Sequence, residues 1–241
     1  MIHNETGNLV RPSTIWKSLK SKSFTTSHRD FFWRAIHNAH KIRTYWSNIP
    51  NQEDRILCAH CHEEESMEHI LLDCTTPGRE QAWKLTKQLW NLDRADWPNN
   101  LSIGHILGAN LMNFKGREGK SDKYVKRRFC IITSETTHFI WRLRCERVIQ
   151  NDNNPEKWPT ATEIKSRWLY MINNRLMIDK ESMRGNLSKN ATDEVTVLLT
   201  WRGILANEGK LPLDWLKVKR VLVGIESPQW TQPHQRKAEI W

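Results

Sequence analysis

Three cysteines and a histidine in this chain are of the types, and at the spacing, that bind a metal ion. Cys58, Cys61, His69 and Cys74 form the pattern C-x2-C-x7-H-x4-C. Thiolate and imidazole are the usual ligands of tetrahedral Zn²⁺, and four of them leave no position open for water. A closed site of this kind stabilises a fold, so the sequence predicts one structural zinc ion. The alternative is three reduced thiols and a surface histidine that fall together by chance.

The segment around these residues predicts a small zinc knuckle over residues 56–75. A turn at residues 63–66 leads into a short helix at residues 67–73, with His69 near its start and Cys74 just after its end. His60 and His62 are rival donors beside the cysteine pair. Neither gives a conventional ligand spacing, so we expect both to be solvated or to lie behind the ligands.

Apolar residues recur at helical spacing along most of the chain, which predicts a mainly α fold. The expected architecture is a helical domain with a small C-x2-C-x7-H-x4-C zinc-knuckle subdomain. Capping signals occur at Ser27 with Asp30 and at Thr160 with Glu163. Helices are predicted over residues 12–22, 27 to 46 or 48, 78–91, 121–150 and 160–179. Residues 192–206 are predicted to form another helix or a buried segment, and residues 221–225 a short strand.

Composition divides the chain into parts. Residues 1–93 are the predicted zinc-binding module, and residues 121–227 are a C-terminal helical region. Between them, the glycines, proline and asparagines of residues 94–120 predict a linker. We expect residues 185–191 to form a polar loop and residues 228–241 a tail.

Thirteen tryptophans offset a hydrophobic content of only 38%. Trp46 follows Ile42, and Trp168 follows Ile164, at a spacing of four residues. Both tryptophans are therefore predicted to lie in the core. The alternative is that aromatic side chains of the helix that begins at Ser27 stack on nucleic-acid bases.

The sequence predicts neither a signal peptide nor a transmembrane helix. No apolar segment follows Met1, and the longest uncharged apolar run is only Val195 to Trp201. Five cysteines, an odd number, favour a reducing compartment, so we expect an intracellular protein of the nucleus or cytoplasm. Cys130 and Cys145 lie about 22 Å apart along one predicted helix, too far for a disulfide, and each is expected to be a core thiol.

The net charge of +10 is unevenly distributed. Residues 11–50 carry a local +7, residues 53–73 a local −6 and residues 115–147 a local +6. The acidic knuckle is thus a poor phosphate binder, and nucleic acid should contact the basic segments on either side. The candidate nucleic-acid-binding residues are Arg29, Arg34, Lys41, Arg43, Lys126, Arg127 and Arg128. The last three could instead form a nuclear localisation signal or one solvated helical turn.

Three segments near the ligands resemble the zinc-binding domain of reverse transcriptases, which lies toward the C-terminus of non-LTR retrotransposon polyproteins. They are the aromatic-rich residues 31–37, the C-x2-C pair, and residues 68–74, which read Glu-His-Ile-Leu-Leu-Asp-Cys after an acidic stretch. The resemblance covers about residues 13–93. Residues 137–147 are also similar to a helix that follows this module in fungal elements.

The resemblance implies that Cys58, Cys61, His69 and Cys74 bind zinc. Because the family's polymerase lies upstream of this region, it also implies a detached or domesticated C-terminal piece. The expected partners are RNA or DNA and other domains of the retroelement polyprotein. No membrane association is expected.

Some elements of this family carry a restriction-like endonuclease after the zinc knuckle, which requires two carboxylates and a lysine around a metal ion. Asp193, Glu208 and Lys210 give D-x14-E-x-K. Glu208 falls in a polar turn where a strand is required, so a helix cap and a solvated turn are the simpler interpretation. Since no polymerase or ribonuclease H pattern is present either, we predict no enzymatic activity.

Three functions therefore remain open. The first is a zinc-stabilised module that binds nucleic acid, and the second is a protein-interaction or scaffold domain. The third is the metal-dependent nuclease. Salt-dependent binding to RNA or DNA separates the first from the second.

Overall fold

The computed structural model describes residues 2–7, 9–92, 96–114, 121–183 and 192–225. Within these ranges the chain forms α-helices and short 3₁₀ and π turns, with two isolated β-bridges and no strand. The mainly α prediction is confirmed. The eight helices are α1 (Ile2–Thr6), α2 (Pro12–Leu19), α3 (Thr26–Ile36), α4 (Arg79–Asn91), α5 (Ile103–Leu107), α6 (Lys123–Cys145), α7 (Ala161–Ser182) and α8 (Glu194–Trp201).

The long helix α6 lies at the centre of the fold. Helices α3, α4, α5, α7 and α8 all pack against it. Trp90, Trp168 and Trp201 are fully buried in the surrounding core. The indole N–H of Trp168 donates to the hydroxyl of Thr136 at 3.1 Å, so this large aromatic is buried with its polar atom satisfied. The core position predicted for Trp168 is confirmed.

The hydrophobic core continues through the segment predicted to be a linker. Of residues 94–120, the structure describes 96–114, and these include α5. Ile106 and Ala109 are fully buried in the same cluster as residues of α4 and α6. Glycine and asparagine in this segment therefore mark short helical turns that pack on the core. The predicted loop at residues 185–191 and the predicted tail at residues 228–241 lie outside the described residues.

The N-cap of helix α3 is Thr25, two residues before the predicted cap at Ser27. The hydroxyl of Thr25 accepts the backbone N–H of His28 at 3.2 Å, and the His28 side chain accepts the backbone N–H of Thr25 at 3.4 Å. This reciprocal pair is a capping box with histidine at its third position. The Ser27–Asp30 prediction was wrong. The predicted Thr160–Glu163 capping box, in contrast, is confirmed at the start of α7.

Helix α3 also ends earlier than predicted, at Ile36. Asn38 adopts a left-handed conformation (φ 51°), and the N–H of Ala39 returns to the carbonyl of Arg34 at 2.8 Å. Asparagine is one of the few residues that tolerate this conformation after a helix, and the backward bond satisfies a terminal carbonyl. The chain then continues into a separate 3₁₀ turn, Arg43–Asn48.

Trp46 lies on that 3₁₀ turn and not in the core. Its side chain is only partly buried, its indole N–H donates to the carbonyl of Lys41 at 3.0 Å, and the guanidinium of Arg55 lies over its ring. The core prediction for Trp46 was wrong because the helical register that places it beside Ile42 is interrupted at Asn38.

The short helix α8 is held against α6 by two arginines. Arg127 donates to the hydroxyl of Thr200 on α8 at 3.0 Å, and to both carboxylate oxygens of Asp179 on α7 at 2.8 and 3.0 Å. Arg128 is 2% exposed and donates to the carbonyls of Thr200 (2.6 Å) and Arg202 (2.7 Å) at the end of α8. A cation suits the C-terminus of a helix, where carbonyls lack partners. Val223 meets Leu205 in a single β-bridge beyond α8, so the strand predicted at residues 221–225 does not form.

Candidate metal centre

The side chains of Cys58, Cys61, His69 and Cys74 converge, and their ligand atoms all lie within 4.8 Å of one another. The Sγ atom of Cys74 is 3.9 Å from that of Cys58 and 3.7 Å from that of Cys61. Metal–sulfur bonds of about 2.3 Å at tetrahedral angles place two sulfurs about 3.8 Å apart. The cluster therefore has the dimensions of a site for one tetrahedral metal ion.

A tight hairpin positions the first two cysteines. Cys58 donates its N–H to the carbonyl of Glu63 at 2.8 Å and accepts the N–H of His62 at 2.9 Å. His62 adopts a left-handed conformation (φ 58°) where the turn reverses. The Leu57–Glu64 bridge closes the hairpin. Two thiols three residues apart are thereby brought to the same side of one turn.

A widened helical turn positions the other two ligands. His69–Asp73 forms a π turn, and the N–H of Cys74 reaches the carbonyl of His69 at 2.7 Å, five residues back. In a regular α-helix, residues five apart differ in direction by about 140°, which would separate the two side chains. The π turn has more residues per turn and reduces that angle, so a spacing of H-x4-C can serve one ion.

The His69 ring carries a buried nitrogen that the described protein atoms leave unsatisfied. Its Nε2 atom is buried and has no hydrogen-bond partner in the described part of the chain. A buried polar atom without a partner costs about 1–3 kcal/mol. Metal coordination by Nε2 would remove this cost, which is an independent indication that the cluster binds an ion.

Charge around the sulfurs also suits a cation. Hydrogen bonding between the thiols of Cys58 and Cys74 lowers the pKa of Cys58 and raises that of Cys74, because the two sulfurs share a proton. A divalent ion would replace that proton and leave a net charge of about −1 with three thiolates. The guanidinium of Arg147, 4.0 Å from the Cys58 sulfur, is placed to balance this charge. The hydroxyl groups of Thr75 and Thr76 lie 3.3 and 3.0 Å from the sulfurs of Cys61 and Cys74.

A buried ion pair, which sequence reasoning missed, attaches the knuckle to α6. Glu65 follows the hairpin and is 3% exposed. Arg144 donates two hydrogen bonds to its carboxylate, and a guanidinium nitrogen of Arg147 lies 3.7 Å from it. Arg147 therefore faces both Glu65 and a ligand sulfur. The partners are 79 residues or more apart in sequence, and no local pattern indicates which member of the Glu63–Glu65 run is buried.

The other candidate donors lie outside the cluster. His60 and His62 are exposed, and the His60 ring meets the edge of Trp158 at 5.2 Å. Cys130 is fully buried in the core, and burial raises the pKa of its thiol to about 12. Cys145 is partly buried, and burial likewise raises the pKa of its thiol. Cys130 is thus a core thiol, as predicted, whereas Cys145 lies outside the core cluster and lines a surface pocket.

The predicted nucleic-acid-binding residues divide into two groups. Arg29, Arg34, Lys41 and Arg43 are exposed on α3 and the segment after it. Arg29 donates to the carbonyl of Ser21 at 3.2 Å, Arg34 pairs with Asp30, and Arg43 pairs with Glu64. Arg127 and Arg128 are committed to the internal contacts of α8, and Lys126 beside them is partly buried. The structure thus leaves the α3 group accessible to phosphate.

The nuclease candidates have local backbone roles. Asp193 caps α8 by accepting the N–H of Thr196 at 2.8 Å, and Glu208 accepts the N–H of Gly203 at 2.7 Å. Lys210 lies in the 3₁₀ turn Glu208–Lys210. These contacts match the helix cap and turn of the simpler interpretation.

An acidic cleft of about 770 Å³ lies beside the metal centre. Its charged lining consists of Arg43, Glu63, Glu64, Glu68 and Asp73. This side of the knuckle would repel phosphate. None of the helices in the described ranges is long and apolar enough to cross a membrane.

No protein-family model matches this chain, and no curated protein or solved structure is significantly similar to it. The metal centre is therefore assigned from its geometry and donor atoms alone. The resemblance to reverse-transcriptase zinc-binding domains stays a prediction from sequence motifs.

Proposed function

We propose that this chain is a zinc-stabilised nucleic-acid-binding module of the kind that accompanies a reverse transcriptase in non-LTR retroelements. Three sulfurs and one imidazole nitrogen form a closed donor set that suits Zn²⁺ in a structural role. The bound ion would link the cysteine hairpin to the π turn. Glu65 and its arginines extend that link to α6, which also packs against α3.

The observation that carries the proposal is a basic surface on α2, α3 and the segment that follows. Residues 11–50 contain eight Lys or Arg and a single acid, Asp30, which is bonded to Arg34 at 3.0 Å. All eight basic side chains are exposed. They are Arg11, Lys17, Lys20, Lys22, Arg29, Arg34, Lys41 and Arg43.

The basic surface and the acidic cleft have opposite effects on phosphate binding. The cleft disfavours phosphate beside the metal centre, while the α2–α3 surface attracts it. In this proposal zinc maintains the fold, and the arginines and lysines supply the affinity.

Salt-dependent binding tests this function. Each phosphate contact contributes about 0.7–0.9 to the slope of log affinity against log salt, so four to six contacts predict a slope of about −3 to −5. Replacing Lys17, Lys20 and Arg29 with Gln should reduce that slope by up to about three units. The measurement is fluorescence anisotropy with structured RNA and with duplex DNA across a salt series.

The matched control removes the same charge elsewhere. Lys84, Lys87 and Lys157 are exposed on α4 and before α7, and their replacement by Gln should leave the slope nearly unchanged. A flat salt dependence in the parent protein, or an equal loss in this control, would contradict the proposal.

An exposed apolar strip on α7 favours a second function, protein interaction. Tyr170, Met177 and Ile178 are 64%, 53% and 45% exposed, at spacings that place them on one face of the helix. Such a strip is typical of a docking face. Absence of nucleic-acid binding even at low salt would leave this scaffold function in place of the first.

A further inference from the structure

Three aromatic rings stand in a row on the basic surface. The ring of Trp33 on α3 and that of His37, which directly follows the helix, have centroids 4.5 Å apart at an angle of 47°. His37 also stacks on Trp16 of α2, nearly parallel at 8°, with centroids 4.9 Å apart. We call Trp16, His37 and Trp33 the aromatic row.

Packing into the core does not account for Trp33. Its neighbours Phe31 and Phe32 are buried on the inner face of α3, whereas Trp33 is 49% exposed. Trp16, at the other end of the row, is partly buried against the core. The row is therefore anchored inside at Trp16 and reaches the solvent at Trp33.

Cations flank the row on both helices. Arg29 lies four residues before Trp33 on α3, and Lys20 lies four residues after Trp16. Residues four apart are neighbours on a helix surface, so each cation adjoins one end of the row. Both side chains are exposed. Because Asp30 is bonded to Arg34, the flanking positive charge has no unpaired acid in residues 11–50 to offset it.

We propose that the aromatic row binds unpaired nucleotides, so that the module prefers single-stranded nucleic acid. A base extends the row by stacking on the exposed surface of Trp33, and adjoining phosphates contact Arg29 and Lys20. Aromatic platforms beside cations are the general means by which proteins hold single strands. This inference rests on the proposed function and names its substrate class.

Preorganisation supports this role for Trp33. His37 supports the Trp33 ring, and Trp16 supports His37, so a base meets an indole that is already held in place. A ligand group that binds a pre-ordered side chain loses less entropy than one that must order it. Bases in a duplex stack on each other instead, so a duplex could use the cations but not the ring.

The test measures the affinity of the zinc-loaded protein for two nucleic acids. One is a twelve-nucleotide oligo(U) or oligo(dT) strand, and the other is a mixed-sequence duplex of the same length. Trp33→Ala should weaken single-strand binding by about tenfold, since one stacked base contributes that order of affinity. Its duplex affinity should change less than about twofold. Trp33→Phe, which keeps a ring, should retain most of the single-strand affinity.

Two further variants act as controls. Tyr170→Ala removes an aromatic that is 64% exposed on α7 and should change neither affinity. Arg29→Gln should weaken binding of both the single strand and the duplex, because it removes a phosphate contact that either can make. Thermal unfolding and zinc content of Trp33→Ala should match the parent protein, as expected for a half-exposed side chain.

The outcomes separate this inference from the proposed function. The aromatic row does not bind bases if Trp33→Ala binds the single strand as tightly as the parent protein does. The same conclusion follows if the variant loses affinity for the single strand and the duplex equally. Nucleic-acid binding would stand in that case. If the parent protein binds neither ligand at low salt, the proposed function fails and this inference fails with it.

Discussion

Glu65 is one of the residues that attach the candidate metal centre to the rest of the protein. It immediately follows the cysteine hairpin and is buried between Arg144 and Arg147 of the long central helix and its extension. A buried carboxylate in a low-dielectric site requires opposite charge nearby, and the two arginines require Glu65 in turn. Packing of the knuckle on α6 therefore depends in part on this side chain, and a metal ion bound by the four candidate ligands would be coupled to it.

Glu65→Gln should be strongly destabilising. It leaves two buried guanidinium groups without their carboxylate, and breaking a buried pair in this way costs about 3–5 kcal/mol. Its matched control is Glu64→Gln, because Glu64 pairs with Arg43 on the surface, where solvent screens the attraction and such pairs contribute little to stability. Urea unfolding of both variants measures the difference. Equal stability of the two would show that the Glu65 pair does not hold the knuckle.

The four candidate ligands could be predicted from the sequence, whereas the role of Glu65 could not. Cys58, Cys61, His69 and Cys74 lie within one short segment, and their chemistry restricts them to few roles. The importance of Glu65 arises from contacts with residues distant in sequence, so it resembles its exposed neighbour Glu64 until the fold is known.

At the scale of elements, the helices were predictable where their ends carry local signals. Thr160 with Glu163 predicted the start of α7 correctly, and apolar periodicity predicted α6. The end of α3 was missed because the apolar pattern continues past Asn38. Asparagine in the left-handed conformation ends the helix there, and this residue was the available signal.

Replacing Trp168 or Trp46 with alanine should change stability by different amounts, although the sequence predicted a core position for both. Trp168→Ala removes a fully buried ring from between α6 and α7, and such deletions cost about 3–5 kcal/mol. Trp46→Ala removes a partly exposed ring from a 3₁₀ turn and should cost less than about 1 kcal/mol. Thermal and urea unfolding of the two variants provide the comparison. A large loss of stability in Trp46→Ala would show that Trp46 packs as a core residue.

At the scale of the whole molecule, the described residues share one hydrophobic core and carry two surfaces of opposite charge, the basic surface and the acidic cleft. The basic segment at residues 11–50 remains on the surface, whereas Arg127 and Arg128 of the other basic segment are used to dock α8. Charge counting in the sequence could not separate these cases, because a salt bridge with α7 or a cap on α8 depends on the fold. The candidate metal centre, whose residues lie between these two segments in the sequence, is proposed to be a structural zinc site.

Zinc K-edge X-ray absorption of the purified 241-residue chain tests this account most directly. We expect one zinc ion per chain, coordinated by three sulfurs at about 2.3 Å and one nitrogen at about 2.0–2.1 Å, with no oxygen ligand. That result would match the donor set of Cys58, Cys61, His69 and Cys74. Protein that folds without bound zinc, or a zinc ion with fewer than three sulfur ligands, would contradict a structural zinc centre.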